Sequence, residues 1–172
     1  VVVVENSPID ISADVNGQLV DPLISDLGSE ANPVITCEPS ATITPTPGPG
    51  LDFVYVAENG DTLGVGSMID LDRSGEITVP VIATDSLGCT NQLPITIAGG
   101  PVDISAPDTT IGCLPAIINL PVTNNDPNDT LTFMWEPADL VDDPTSGSPN
   151  FTGSTGQYEL VVMATNQFGC EG

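Results

Sequence analysis

Apolar and polar residues alternate along this chain in short runs, and one run occurs twice. Ile77-Thr-Val-Pro-Val-Ile-Ala-Thr-Asp-Ser-Leu-Gly-Cys89 returns as Tyr158-Glu-Leu-Val-Val-Met-Ala-Thr-Asn-Gln-Phe-Gly-Cys170. Each copy is a β-branched apolar stretch followed by Ala-Thr, a polar pair, a large apolar residue and Gly-Cys. The apolar stretch predicts a strand, and the polar pair with Gly predicts the turn that ends it. Each copy has an upstream echo, Leu51-Asp-Phe-Val-Tyr55 and Leu131-Thr-Phe-Met-Trp135, and a cysteine further upstream, Cys37 and Cys113. The chain therefore reads as two copies of one β module.

The remaining pattern fills in the modules. Val1, Val2, Val3 and Val4 form a strand-like run, followed by Ser7-Pro-Ile-Asp-Ile-Ser-Ala13. That segment recurs as Gly100-Pro-Val-Asp-Ile-Ser-Ala106, where the strand-like Leu93-Pro-Ile-Thr-Ile-Ala98 precedes it. Residues 1–7 thus read as the last strand of a preceding module. Domain 1 spans 8–100, and domain 2 spans 101–172 and lacks its final strand. Domain 1 carries an insertion at about 14–35. Within it Asp21-Pro-Leu-Ile-Ser-Asp-Leu-Gly28 has a capping residue, Pro at the first helical position and a closing Gly, which predicts one or two helical turns. Further strands are expected over 41–44, 51–57, 116–122, 130–135 and near 150–152, with a weaker one over 63–71. Many short strands with Gly/Pro turns and almost no helical periodicity predict an all-β chain of two tandem sandwiches. Tyr55 and Trp135 are the expected core rings.

Cysteine placement and charge set the surroundings. Domains of roughly 70–90 residues bury modest cores and often need a covalent staple. The matched placement of the cysteines predicts Cys37–Cys89 and Cys113–Cys170, one disulfide per domain. Closing a loop of about fifty residues is worth about 4 kcal/mol in the chain-entropy model. Stable disulfides imply an oxidising compartment. The chain holds 24 acidic residues against one basic, with no His, for a net charge of −23. Such a surface repels nucleic acid and anionic membranes and attracts divalent cations. With no imidazole and no Lys amine, neither a triad nor a Schiff base can be built, and no enzyme is expected. No apolar run approaches membrane-spanning length. The chain does not begin with Met and reads as a piece of something longer.

An early Cys, the Trp-bearing Phe133-Met-Trp135-Glu-Pro137, and Tyr158 with Ala164-Thr-Asn and Gly169-Cys170 resemble the PKD/immunoglobulin-like tandem repeats of giant Bacteroidota cell-surface proteins, such as gliding adhesins and type IX-secreted fibres. The loop Asn125-Asp-Pro-Asn-Asp-Thr-Leu-Thr-Phe133 is similar to the strand entry of PKD and cadherin-like modules. The resemblance covers about four-fifths of the chain. Domain 1 departs from it by placing Tyr55 where domain 2 has Trp135, and by its insertion. The resemblance implies PKD-like sandwiches at the bacterial cell surface or outside the cell.

Three sets of residues are candidates for chemistry. Asp70, Asp72, Ser74 and Glu76 alternate oxygen ligands around a Gly, like the start of a Ca2+ loop, although Val81 stands where such a loop has its closing Glu. Asp126, Asn128 and Asp129 form a second Ca2+ candidate. The alternative for the first is a polar turn. Asp-Ser/Thr-apolar (or Thr) triplets resemble the O-glycosylation signal of secreted Bacteroidota proteins and point to Thr62, Ser86, Thr109 and Thr130. Val1, Val2, Val3 and Val4 are the candidate assembly strand. The expected function is a structural module of an extracellular filament or adhesin stalk, joined head to tail to neighbouring copies. The alternatives are a Ca2+-assisted adhesive module with a surface or glycan target, and a filament subunit polymerising by donor-strand exchange.

Overall fold

The computed structural model describes residues 9–46, 50–72, 75–109, 117–154 and 156–172. The chain is all-β and divides into two compact units, Val1–Ala98 and Gly99–Gly172.

Among its described residues unit 1 holds nine strands: β1 (Ala13–Val15), β2 (Gln18–Val20), β3 (Val34–Ile35), β4 (Ser40–Pro45), β5 (Asp52–Val56), β6 (Thr62–Val65), β7 (Ile69–Asp72), β8 (Ile77–Thr84) and β9 (Thr90–Ala98). They form a four-stranded sheet, β2-β1-β4-β7, and a five-stranded sheet, β3-β9-β8-β5-β6. Pairing is antiparallel except where β3 runs parallel to β9. Alternation along each strand sends one face inward. β8 buries Val79, Val81 and Ala83, and β5 buries Phe53 and Tyr55. Ala13, Val15, Ala41, Ile43 and Leu71 of the four-stranded sheet join them in one cluster, with Leu93, Ile95 and Ile97 of β9. Unit 1 is thus a two-sheet sandwich, and each fully buried aliphatic side chain contributes about 1.5–3 kcal/mol.

The insertion folds differently from the expectation. Its start is a hairpin, β1 to β2, turned by Asn16 (φ 48°) and Gly17 (φ 84°). Asn-Gly with both residues at positive φ is the two-residue hairpin turn that matches strand twist. The helix expected over 21–28 does not form. Asp21 accepts hydrogen bonds from the Leu23, Ile24 and Ser25 amides, a single capped turn, and the chain goes no further. Leu23 and Ile24 are 75% and 71% exposed, so no apolar face packs down to extend the turn.

Unit 2 holds β10 (Ile104–Ser105), β11 (Ile118–Asn119), β12 (Thr123–Asn124), β13 (Thr132–Glu136), a single 3-10 turn at Ala138–Leu140, β14 (Asn150–Phe151) and β15 (Val161–Thr165). Its strands pair as β10-β12, β11-β14 and β13-β15, each antiparallel. The strand expected over 116–122 is broken: Ala116 lies outside the described residues, and only β11 is regular. Leu120 and Val122 still donate to the carbonyls of Pro149 and Gly147. Among the described residues no helix is long and apolar enough to cross a membrane.

Candidate functional site

The repeated segment folds the same way twice. After β8, Asp85 Oδ1 accepts the amides of Leu87 and Cys89, both at 2.9 Å. The Asp85 carbonyl accepts the Gly88 amide, and the Cys89 carbonyl accepts the Asp85 amide, both at 3.0 Å. After β15, Asn166 Oδ1 accepts the amides of Phe168 and Cys170, both at 3.0 Å. Gly169 donates to the Asn166 carbonyl at 3.0 Å, and Asn166 donates to the Cys170 carbonyl at 2.9 Å. The turn needs a side-chain oxygen at its first position, which Asp and Asn both supply. It also needs positive φ at its fourth, 83° at Gly88 and 85° at Gly169, which glycine adopts without strain.

The strands that feed the two turns carry matched rings. Tyr55 of β5 stands opposite Val81, and Trp135 of β13 stands opposite Val162. Each ring is buried and donates to the carbonyl eleven residues on. Tyr55 Oη donates to Gly66 at 3.1 Å, and Trp135 Nε1 to Ser146 at 2.9 Å. Burial pushes the Tyr55 phenol up to about 12, so it stays a neutral donor at ordinary pH. A third match lies where the chain enters each unit. Asn91 donates to the Ile9 carbonyl, while Gly172 lies so close to Val102 that an added Cβ would sit 2.4 Å from its carbonyl oxygen.

Cys37 and Cys170 are disulfide-bonded. Cys170 is buried at the end of its turn, Cys89 is exposed at the end of the matching one, and Cys113 lies outside the described residues.

The first Ca2+ candidate falls on a strand. Asp70 and Asp72 belong to β7 and point outward on either side of buried Leu71. Asp70 accepts the Thr42 hydroxyl of β4, its direct partner in the sheet. Residues two apart on a strand stand about 6.6–6.8 Å apart along it, too far to share one ion unless the chain curls. Glu76 is exposed and Ser74 lies outside the described residues. In the second candidate, Asp126 Oδ1 accepts the Asn128 amide at 2.9 Å. Asp129 Oδ1 receives the amides of Asn166 and Gln167 at 3.4 and 3.5 Å, and Gln167 Oε1 accepts the Thr130 amide at 2.7 Å. Asp129 thus ties its loop to the repeated turn, while Asp126 closes the loop on itself. Among the described residues no group of three or more His, Cys, Asp or Glu side chains is assembled as a metal site. Thr62, Ser86, Thr109 and Thr130 are all exposed. Val1, Val2, Val3 and Val4 lie outside the described residues.

Two further features lie in unit 2: an acidic pair, which the sequence alone reads as part of a solvated loop, and a cleft with no sequence signal. The acidic pair after the 3-10 turn is held by local hydrogen bonds. Asp142 accepts the backbone and side-chain amides of Asn150, and Asp143 the hydroxyl and amide of Thr145; both carboxyls are held below the usual range for that reason. Beside them a cleft of about 630 Å³ is lined by Met134, Trp135, Pro137, Pro144 and Val161, with Glu136 and Glu159 supplying negative charge. The cleft arises where β13 and β15 meet the loop after Pro137, a long-range arrangement that no local motif encodes.

No protein-family model matches the chain, and no curated protein resembles it in sequence. Among solved structures, one described as "Structures of Clostridium thermocellum CbhA fibronectin(III)-like modules" is similar at a TM-score of 0.35 and 12% identity, over 83% of this chain and 86% of that chain.

Proposed function

We propose that this chain is a structural, non-catalytic β-sandwich module of an extracellular filament or cell-surface adhesin stalk, its copies joined head to tail. One observation carries this reading: the two units repeat each other down to single hydrogen bonds, in the Asp85 and Asn166 turns and in the Tyr55 and Trp135 anchors. Repetition at that level is what a stalk built by stacking modules requires. Disulfide-bonded Cys37 and Cys170 support an oxidising setting. The pairing we propose is Cys37–Cys89 and Cys113–Cys170, which peptide mapping under non-reducing conditions tests directly. A net charge of −23 with no His or Lys supports a role outside catalysis and away from nucleic acid.

A second reading is a subunit polymerising by donor-strand exchange, for which the β-branched run Val1-Val-Val-Val4 would be the donor. Denaturing electrophoresis of the native material after boiling separates the two. A band at 17.7 kDa means non-covalent subunits, and a very large species means a covalent array. Filaments should be visible by negative-stain electron microscopy in either case. Native material that is uniformly monomeric and forms no filament would overturn both.

A further inference from the structure

The two sheets of unit 1 turn unlike faces outward. Among the described residues the five-stranded sheet holds one charged side chain, Asp52, in an end row opposite Thr84. Its central outward row runs Gln92, Ile82, Val54 and Val65, each opposite the next on the neighbouring strand. The row beside it sets Pro80 opposite Pro94. Val65 is 70% exposed, and Gln92 and Pro94 are exposed with it. On the four-stranded sheet, by contrast, Asp14, Asp70 and Asp72 all stand exposed on the outer face.

A solvated sheet face is ordinarily polar, because strand alternation sends the apolar residues to the core. A contiguous apolar outer face therefore marks an interaction site. Unit 2 keeps the apolar pair where the repeat places it. Met134 stands opposite Met163 as Val54 stands opposite Ile82, and the two methionines are 51% and 37% exposed. In unit 2, however, the next outward row carries exposed Glu136 opposite Val161. The uncharged version of the face belongs to unit 1.

We propose that the outer face of the five-stranded sheet of unit 1 docks against the same face of a second copy of this chain. Charge argues for that occupant. Two copies at −23 repel each other, and they meet with least repulsion through a face whose central rows carry no charge. A basic partner is drawn instead to the carboxylates of the opposite face. A sugar needs a ring to stack on, and the rings of these strands, Phe53 and Tyr55, are buried in the core. The size of the face fits as well. Strands about 4.8 Å apart and residues about 3.4 Å apart make the shared face of β9, β8, β5 and β6 about 19 Å by 17 Å. Two such faces, with the relief of their side chains counted, bury on the order of 1,000 Å² in all, the size of a weak, reversible contact. Each copy presents the same patch, so the contact is two-fold and closes at a dimer. It is independent of the head-to-tail joint.

Sedimentation of the 172-residue chain from roughly 1 µM to 1 mM, in low and high salt, tests this. The parent should pass from monomer to dimer across that range, and dimerise more tightly in high salt as repulsion is screened. Ile82→Glu and Ile82→Lys put either sign of charge at the centre of the face. Each should weaken the dimer by about tenfold or more, since either charge loses its water in the contact. Val65→Glu, at a position too exposed to endanger folding, should weaken it by about threefold or more. Leu19→Glu and Leu19→Lys, at a 51% exposed position on the opposite face, should change it by about twofold at most. Circular dichroism matched to the parent shows that each variant is folded. An Ile82→Lys chain that is folded and dimerises more tightly than the parent overturns the proposal, because net charge alone then governs association. Equal weakening by the Leu19 and Val65 variants does the same, as does a parent that stays monomeric at every concentration and salt. A parent series extending past dimer that neither the Ile82 nor the Val65 variants weaken overturns this face and leaves the head-to-tail reading standing.

Discussion

Units 1 and 2 share an antiparallel strand pair and differ in what surrounds it. In unit 1 the pair β5 and β8 sits in a five-stranded sheet, faced by a second sheet across one apolar cluster. In unit 2 the pair β13 and β15 is a two-stranded sheet, and the buried apolar side chains described are few: Trp135, Val141, Pro149, Ala164 and Cys170. The difference teaches that the repeat resides in the strand pair, the turn that follows it and its ring. The bulk of a sandwich core comes from strands delivered by distant sequence. Unit 2 therefore leans on one large ring, where unit 1 leans on many packed aliphatics.

Replacing the rings tests this most strongly. Tyr55→Ala should cost unit 1 about 3–5 kcal/mol, the range for emptying a buried aromatic site. Trp135→Ala should cost less, because fewer packed neighbours surround the hole. Denaturant unfolding measures both, and a larger loss for Trp135→Ala would reverse the comparison. Next, Ile95→Ala should destabilise unit 1 by about 2–5 kcal/mol. It should leave the fluorescence transition of Trp135 unmoved, since the chain's one Trp reports on unit 2. A shifted fluorescence transition would mean that the units unfold together.

The turns give a smaller effect with a built-in asymmetry. Asn166→Ala should cost about 1–2 kcal/mol by leaving two amides without their acceptor. Asp85→Asn should be milder than that, because the accepting oxygen is kept. Asn166→Asp keeps the oxygen too, but replaces the amide that donates to Asp129 with a second carboxylate, so it should be the worse exchange. Equal effects from the two exchanges would mean that the contact with Asp129 is unimportant.

Alkaline pH separates the rings by chemistry. The phenol of Tyr55 is raised from 10.0 to about 12 by burial. The folded state holds that proton more tightly than the unfolded state, so this contribution is intact below pH 10 and is lost as pH rises toward 12. A Tyr55→Phe variant should lack that fall. In acid the sign is opposite for Asp142 and Asp143. Their lowered values favour folding above the ordinary Asp value of about 3.9, and the benefit fades as pH falls through their folded values. The smallest effect concerns Ca2+. If an ion organises the segment after β7, a chelator should lower the melting temperature, and Asp72→Ala should abolish the difference. A chelator-insensitive melt leaves Asp70 and Asp72 as the solvated face of an edge strand.

The sequence by itself determined what depends on neighbours in the chain. The Asp/Asn-x-x-Gly-Cys turn, the alternation that buries Val79, Val81 and Tyr55, and the matched rings are legible because each is set within a few residues by φ, by a side-chain oxygen or by strand periodicity. The hairpin at Asn16-Gly17 carried the same kind of local signal and was masked by the capping pattern at 21–28. That pattern marks where a helix would begin but supplies no apolar face to hold one. Only tertiary structure decided the rest. The parallel pairing of β3 with β9 joins segments some sixty residues apart, and its cost in loop closure leaves no local mark. Asp70 and Asp72 have a spacing that suits both a Ca2+ loop and the outer face of a strand, and the pairing of β7 with β4 is a long-range contact that this spacing does not reveal. The pairing of β13 with β15 in unit 2 likewise followed from which segments reach β15, a question of long-range contact rather than of local propensity.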